Sequence, residues 1–311
     1  MARWRIIAIM GGMIGLGFGN FAVRSLAAPT SRPSSVVGEA GDDADIDLST
    51  PQGQASQYAR TPDGAYRMTS LKSFEGIEEP RMDWVVAEHD VERKASNFFN
   101  ITDVAPGTVR MFLRYRRDWW DGDQATNRRD RQRAEVKGLG PHQKDGQTFE
   151  YSTTWRTDPD FTDPAKLTAG LSDDGEWVGG RKHFCHVFQL KATNGSDGPP
   201  LVTMSVDAGN KTADLDFGSG RSGGLKVVRT FPFKAGEWMH VVIRIKISHT
   251  NGEAEISVNG DEFKGAIHVP VYRPNSTDYR PKWGLYRAIG PASGAHDDWV
   301  EHRDVTARRV D

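Results

Sequence analysis

Three short stretches of the chain set side chains that bind anions or move protons at every second residue. In Arg131-Gln132-Arg133-Ala134-Glu135-Val136-Lys137 the odd positions are Arg, Arg, Glu and Lys, while Ala134 and Val136 take even ones. In His183-Phe184-Cys185-His186-Val187-Phe188-Gln189-Leu190-Lys191, Phe184, Phe188 and Leu190 share one parity; His183, Gln189 and Lys191 share the other. In Lys282-Trp283-Gly284-Leu285-Tyr286-Arg287-Ala288-Ile289, Trp283, Leu285 and Ile289 fall together, opposite Lys282, Gly284 and Tyr286. A period of two is the mark of a strand with one packed and one polar face. One such strand is ordinary half-wet sheet. Gln189 beside Lys191, and Tyr286 with Lys282 across a glycine, are less typical of an idle surface, because glycine inside a strand marks close approach of a ligand or backbone. On the same parity His186 falls on the greasy side and reads as a core histidine. Cys185 shares the polar side but reads as a small buried filler.

The elements that must position these groups are strands. The clearest runs from His240 to Ser248, with Val241, Ile243, Ile245 and Ile247 on one face and Arg244, Lys246 and Ser248 on the other. Thr250-Asn251-Gly252-Glu253 predicts a two-residue hairpin turn into Ala254–Val258, which Asn259-Gly260 closes. Further strands are expected at Thr108–Tyr115, Arg131–Lys137, Thr148–Trp155, His183–Lys191, Leu201–Val206 and Lys282–Ile289. Helix is scarce, with one turn expected at Asp163–Leu167. The 33 glycines and 16 prolines favour many turns over a helical bundle. The fold class is therefore all-β: a two-sheet antiparallel β-sandwich of jelly-roll, concanavalin-like type, whose bend would leave a concave cleft.

Residues 1–28 read as a secretory signal: a basic start, an apolar run from Ile6 to Phe18, then Ser25-Leu26-Ala27-Ala28. An uncleaved amphipathic anchor is the alternative. Export would place the protein in the periplasm or outside the cell. Residues 29–60, rich in Ser, Pro, Gly, Gln and Asp, read as a flexible linker, and 61–311 as one folded domain. The single cysteine rules out an internal disulfide, a cysteine-rich zinc site and a CxxC redox centre. Forty Lys and Arg against 42 Asp and Glu argue against a protein built mainly to grip nucleic acid.

Arg133-Ala134-Glu135-Val136-Lys137 resembles the Arg-x-Glu-Leu/Val strand of the jelly-roll polysaccharide lyases, the group of alginate, glucuronan and heparin lyases. Gln189-Leu190-Lys191 resembles their Gln-Ile-His strand, with Lys where alginate lyases carry His. Lys282-Trp283-Gly284-Leu285-Tyr286 resembles their Lys-Ala-Gly-x-Tyr segment, and order and spacing agree over roughly residues 130–290. Lys191 and Trp283 depart from the alginate pattern and point to the glucuronan-lyase or heparin-lyase branches.

The resemblance implies cleavage of a uronic-acid polymer, glucuronan-like, by β-elimination. The C5 proton sits beside a carboxylate whose charge must be neutralised before it can leave, and aimed hydrogen-bond donors do this. Gln189 and Arg133 are the implied neutralisers, with positive field from Lys191 or Lys282. Tyr286 suits acid or base if neighbouring cations lower its pKa from about 10. His142 is the preferred second proton-transfer residue, by resemblance to glucuronan lyases, with His183 in reserve. Glu135 would orient Arg133. Trp119 and Trp120 would stack on sugar rings or pack in the core. The partner would be an anionic polysaccharide, with no nucleic acid or protein partner, and the chain a monomer. No cofactor is required; Asn194–Gly198 or Asp121-Gly122-Asp123 would suit a structural calcium ion. A hydrolase would need paired carboxylates, commonly alternating on a strand; no Glu-x-Asp-x-Glu-like run falls inside one, and Ala44-Asp45-Ile46-Asp47 falls in the linker. The rival from another class is a non-catalytic carbohydrate-binding module.

Overall fold

In a computed structural model, the described residues are 59–78, 81–82, 101–113, 119–120, 131–161, 184–195, 199–218, 226–288 and 297–311. The expected signal segment, nearly all of the linker and the helical turn at Asp163–Leu167 lie outside them. Among the described residues, no helix is long and apolar enough to cross a membrane.

The strands in chain order begin with β1 (Ala59–Arg60), β2 (Tyr66–Arg67), β3 (Gly76–Glu78), β4 (Arg81–Met82), β5 (Ile101–Ala105) and β6 (Thr108–Leu113). Next come β7 (Trp119–Trp120), β8 (Arg131–Lys137), β9 (Gln143–Lys144), β10 (Thr148–Thr157), β11 (Cys185–Ala192), β12 (Val202–Asp207) and β13 (Thr212–Phe217). The series ends with β14 (Lys226–Pro232), β15 (Met239–Lys246), β16 (Ser248–Val258), β17 (Lys264–Val271), β18 (Asp278–Ala288) and β19 (Asp298–Arg309). One sheet runs β1-β2-β19-β10-β15-β16-β17, with β6 also on β19 and β5 on β6. The second runs β14-β13-β12-β11-β18-β8-β3, with β9 on β18. The pairings are antiparallel, which makes the molecule the expected all-β sandwich.

The core forms where the apolar parities of the two sheets meet. Val241, Ile243 and Ile245 of β15 and Phe149, Tyr151 and Trp155 of β10 come from one sheet; Val136, Phe188, Leu190, Trp283 and Leu285 come from the other, all buried. Tyr151 and Phe188 rings lie 5.8 Å apart, and Trp283 lies 5.8 Å from Phe188 and 5.9 Å from Phe74. Burying each such side chain contributes about 1.5–3 kcal/mol. The Tyr151 hydroxyl needs a partner there and donates to Gln143 Oε1 at 3.0 Å, while Gln143 Nε2 donates to the Ile245 carbonyl at 2.7 Å. Without that hydroxyl's partner the layer would carry an unpaired polar group.

The outer face of the first sheet is tied by a ladder of guanidinium and indole. Arg110 and Arg156 sit 4.5 and 5.6 Å from the Trp299 ring, and Arg156 and Arg303 sit 4.5 and 4.1 Å from the Trp238 ring. Glu301 accepts from both Arg110 and Arg156, at 2.6 and 2.8 Å.

At the end of the segment read as linker, Ala59 and Arg60 pair with Arg67 and Tyr66. One local expectation needs correction. Asn251-Gly252 is not a two-residue turn: Lys246 pairs with Glu253, so six residues separate the paired positions, and β16 runs through Asn251-Gly252 against β17. Gly252 is needed there for contact, since a Cβ would stand 2.7 Å from the Val269 carbonyl oxygen. The second Asn-Gly behaves as its type demands: Asn259 and Gly260 both have positive φ (52° and 82°), and the Asp261 amide closes on the Val258 carbonyl at 3.1 Å.

Candidate active site on the eight-stranded sheet

The neighbouring strands β8, β18, β11, β12 and β13 line up their polar residues in two rows. In the first, Arg133 faces Tyr286, Tyr286 faces His186, His186 faces Ser205, and Ser205 faces Asp214. In the second, Lys137 faces Lys282, Lys282 faces Gln189, Gln189 faces Thr203, and Thr203 faces Asp216. Between the rows β18 spends four residues (286 to 282), β11 three (189 to 186) and β12 two (205 to 203). The differences are β-bulges, each of which reverses parity locally.

The bulge overturns the expectation that His186 lies on the greasy face, although the ring is buried and hydrogen-bonded as a core histidine would be. It lies on the same side as Tyr286 and Gln189, three residues before Gln189, where strict alternation would put it on the opposite face. Phe184 follows it: its ring stacks on His186 at 4.9 Å and 18° and tilts against Tyr286 at 4.8 Å. Cys185 and Val187 turn into the core instead, so Cys185 is buried filler as expected.

Within the first row, the Arg133 guanidinium carbon sits 4.4 Å from the centre of the Tyr286 ring. The His186 and Tyr286 rings are 5.9 Å apart. His186 Nδ1 lies 2.8 Å from Ser205 Oγ, and Ser205 Oγ donates to Asp216 Oδ2 at 3.3 Å. Burial disfavours the charged imidazole and lowers the His186 pKa to about 3, so the ring is neutral.

Gly284 joins the rows. It pairs with Glu135 across β8 and β18, and has no side chain to stand between that carboxylate and Gln189. Gln189 Nε2 therefore donates to Glu135 Oε1 at 2.5 Å, with both side chains 1% exposed. Arg133, 19% exposed at its side chain, approaches the other Glu135 oxygen at 3.9 Å. A Cβ on Gly284 would come 2.2 Å from the Ala134 carbonyl oxygen, and its φ of +148° suits glycine alone.

Of the residues singled out from sequence, Arg133, Glu135, Gln189, Lys282 and Tyr286 are brought together here, with Lys191 one step along β11, opposite Arg280. His142 is not. Its Nδ1 lies 2.5 Å from Asp278 Oδ2 and its Nε2 2.8 Å from Glu75 Oε2. Asp278 is eight positions along β18 from Tyr286, roughly 26 Å of strand at ~3.3 Å per residue. Both ring nitrogens are thus held by carboxylates far from the phenol, which corrects the expected pairing of His142 with Tyr286. Burial opposes charge on His142, but Glu75 and Asp278 outweigh it and raise its pKa. His183 lies outside the described residues. Trp119 and Trp120 form β7, paired with Arg81 and Met82 of β4; their side chains lie outside what is described. Asp121-Gly122-Asp123 is also outside. Asn194 holds Thr277, its Oδ1 accepting from the Thr277 amide at 3.0 Å.

Sequence reasoning missed His186, Ser205 and the Asp214-x-Asp216 pair of β13. The last was visible: Ala213, Leu215 and Phe217 alternate with Thr212, Asp214 and Asp216. It is a two-carboxylate alternation, shorter than the Glu-x-Asp-x-Glu-like run that the described strands lack. Asp214 accepts from Thr230 Oγ1 at 2.6 Å and Asp216 from Ser205, so the two are tied within the sheet on one side of the site.

Together, a neutral imidazole, a phenol, a guanidinium, an amide and an ammonium on one sheet face form a site suited to binding an anion and moving a proton beside it. The class this fold defines is the jelly-roll architecture of polysaccharide lyases. The chain is similar to the endo-β-1,4-glucuronan lyase of the fungus Trichoderma reesei, at 15% identity and a TM-score of 0.52, over 78% of this chain and 94% of that one. Alginate lyase A1-II′, of polysaccharide lyase family 7, overlays at 14% identity and a TM-score of 0.47, over 68% of this chain and 84% of its own. An alginate lyase of Pseudomonas aeruginosa gives 12% and 0.45, over 71% and 90%. No family model and no curated protein matches the chain. At these identities the likeness concerns the fold, and the chemistry is argued from this chain's own side chains.

Proposed function

We propose that the protein is an exported polysaccharide lyase that cleaves a uronic-acid polymer, with plain glucuronan-like chains as the substrate class. The observation that carries this reading is the row Arg133–Tyr286–His186 set beside the Gln189 amide. In the reaction, the guanidinium of Arg133 and the second amide hydrogen of Gln189 meet the uronate carboxylate, and Lys282 adds positive field. Electron density released at C5 can then spread into that carboxylate. His186 removes the C5 proton, the C5–H electrons form the C4–C5 double bond, the C4–O4 bond breaks, and the Tyr286 phenol protonates O4. A bound carboxylate beside the imidazole favours its protonated form, which offsets the burial that weakens it as a base in the free protein. Because Arg133 and Lys282 supply the positive charge, the chemistry asks for no cofactor. Export rests on the reading of residues 1–28, and N-terminal sequencing of secreted protein checks it.

The test is incubation of the full chain with a panel of uronic-acid polymers, following the ultraviolet absorbance of unsaturated uronate ends. A lyase makes unsaturated ends. A hydrolase working through the Asp214 and Asp216 carboxylates would make saturated reducing ends, and a binding module would bind without cutting; either result overturns the reading.

A further inference from the structure

We propose that Ser205 and Asp216 are positioning residues that fix the proton of His186 on Nδ1 and leave Nε2 bare as the acceptor. The inference rests on the reading of His186 as the base.

The argument is one of hydrogen counting. A carboxylate can only accept, so the Ser205 hydroxyl gives its single hydrogen to Asp216 Oδ2, 3.3 Å away. The Ser205 oxygen then presents a lone pair to His186 Nδ1 at 2.8 Å, and that nitrogen must carry a hydrogen. A neutral imidazole has only one, so Nε2 has none. Burial keeps the ring neutral through the ordinary pH range, which makes the tautomer, rather than the charge, the property that matters.

The surroundings hold this arrangement. Ser205 lies directly across from His186 in the β11–β12 register, so the contact is set by backbone pairing rather than by a mobile loop. Phe184 stacks on one face of the imidazole and fixes the ring plane. Asp214, the nearer carboxylate in register, is taken by Thr230 across β13 and β14, leaving the relay to Asp216. Among the described residues, Tyr286 on β18 and Arg133 on β8 also border the ring's neighbourhood, the latter lying over the phenol. Outer partners of this kind commonly decide the tautomer of a working histidine.

The experiment is a long-range proton–nitrogen correlation spectrum of the full chain labelled in its nine histidines, with the His186 signals assigned by their loss in His186→Asn. Wild type is expected to show the Nδ1–H tautomer. Asp216→Asn, whose amide can donate to the hydroxyl, is expected to turn the serine hydrogen toward the ring and move the signal toward Nε2–H. Ser205→Ala should give a mixture, and Ser205→Thr should restore the wild-type pattern. On the polymer that is cleaved, Ser205→Ala and Asp216→Asn should lower kcat by about 10–100-fold with little change in KM. An Nε2–H wild type, or ring signals unmoved in both variants, overturns the proposal, and the wild-type spectrum decides this even if a variant does not fold. The spectrum needs no substrate. The expected tautomers without any polymer cleavage would therefore sustain the positioning pair and sink the lyase reading.

Discussion

The guanidinium carbon of Arg133 lies over the ring of Tyr286, 4.4 Å from its centre, and the two residues are direct partners across β8 and β18. One cation thus meets the phenol ring and, at 3.9 Å, the Glu135 carboxylate that also holds Gln189. Backbone register and side-chain contact specify the same neighbours. The positions of phenol, guanidinium and amide are therefore set by one another, with no loop between them.

Replacing Tyr286 with Phe keeps the ring under Arg133 and removes only the hydroxyl. Turnover should fall by about 10²–10⁴-fold, the range for a general acid, while polymer affinity stays close to wild type. Initial rates and equilibrium binding measured together check this. Near-normal turnover would remove the phenol from the chemistry.

Gln189→Ala deletes the amide proposed to meet the uronate carboxylate and also removes the 2.5 Å hydrogen bond to Glu135. We expect kcat to drop by about 10²–10³-fold, as for loss of one oxyanion donor. An effect confined to KM would contradict the role.

The two histidines should separate cleanly. His186→Asn is expected to abolish turnover, whereas His142→Ala should leave turnover and lower stability instead. His142 has a raised pKa, so its stabilising contribution is full below its unfolded value of about 6.5 and fades as pH rises through the higher folded value. Burial raises the pKa values of Glu75 and Asp278, but their partners outweigh it and both end up lowered. Their contribution is present above the ordinary carboxylate range and is lost in acid. The Tm difference between wild type and His142→Ala should accordingly peak near pH 5–6, between those ranges, and shrink toward pH 9. A difference that grows with pH would contradict the clamp.

Gly284→Ala places a Cβ 2.2 Å from the Ala134 carbonyl oxygen at a φ of +148°. The cost should exceed the ~1 kcal/mol of an ordinary glycine substitution, because β8 and β18 must separate. Denaturant midpoints check the stability. Turnover should fall with it, since the same displacement moves Tyr286 from Arg133.

Strands without bulges were legible in the sequence. The bounds of β8, Arg131–Lys137, emerge from alternation alone, and the Lys282–Gly284–Tyr286 face of β18 does too. Around His186 the same rule fails, because Phe184, Cys185, Val187 and Phe188 are apolar on both parities and nothing marks the extra residue. The Asn251-Gly252 turn was misread for a related reason: a local turn signature was outweighed by pairing with β17, a contact made across the sheet. His142 could not be placed from its loop, since what fixes it are Glu75 and Asp278, 67 and 136 residues away in sequence. Asp214 and Asp216, by contrast, obey plain alternation along Thr212–Phe217.

The unequal spending of residues by three adjacent strands makes the floor of the site a wedge. Measured along the chain at ~3.3 Å per residue, the Tyr286 and Lys282 positions are separated by roughly 13 Å, whereas Ser205 and Thr203 are separated by roughly 7 Å. The broad margin carries Arg133, Tyr286 and Lys282, the groups proposed to meet the uronate. The narrow margin holds the hydroxyls and carboxylates that brace the imidazole from behind.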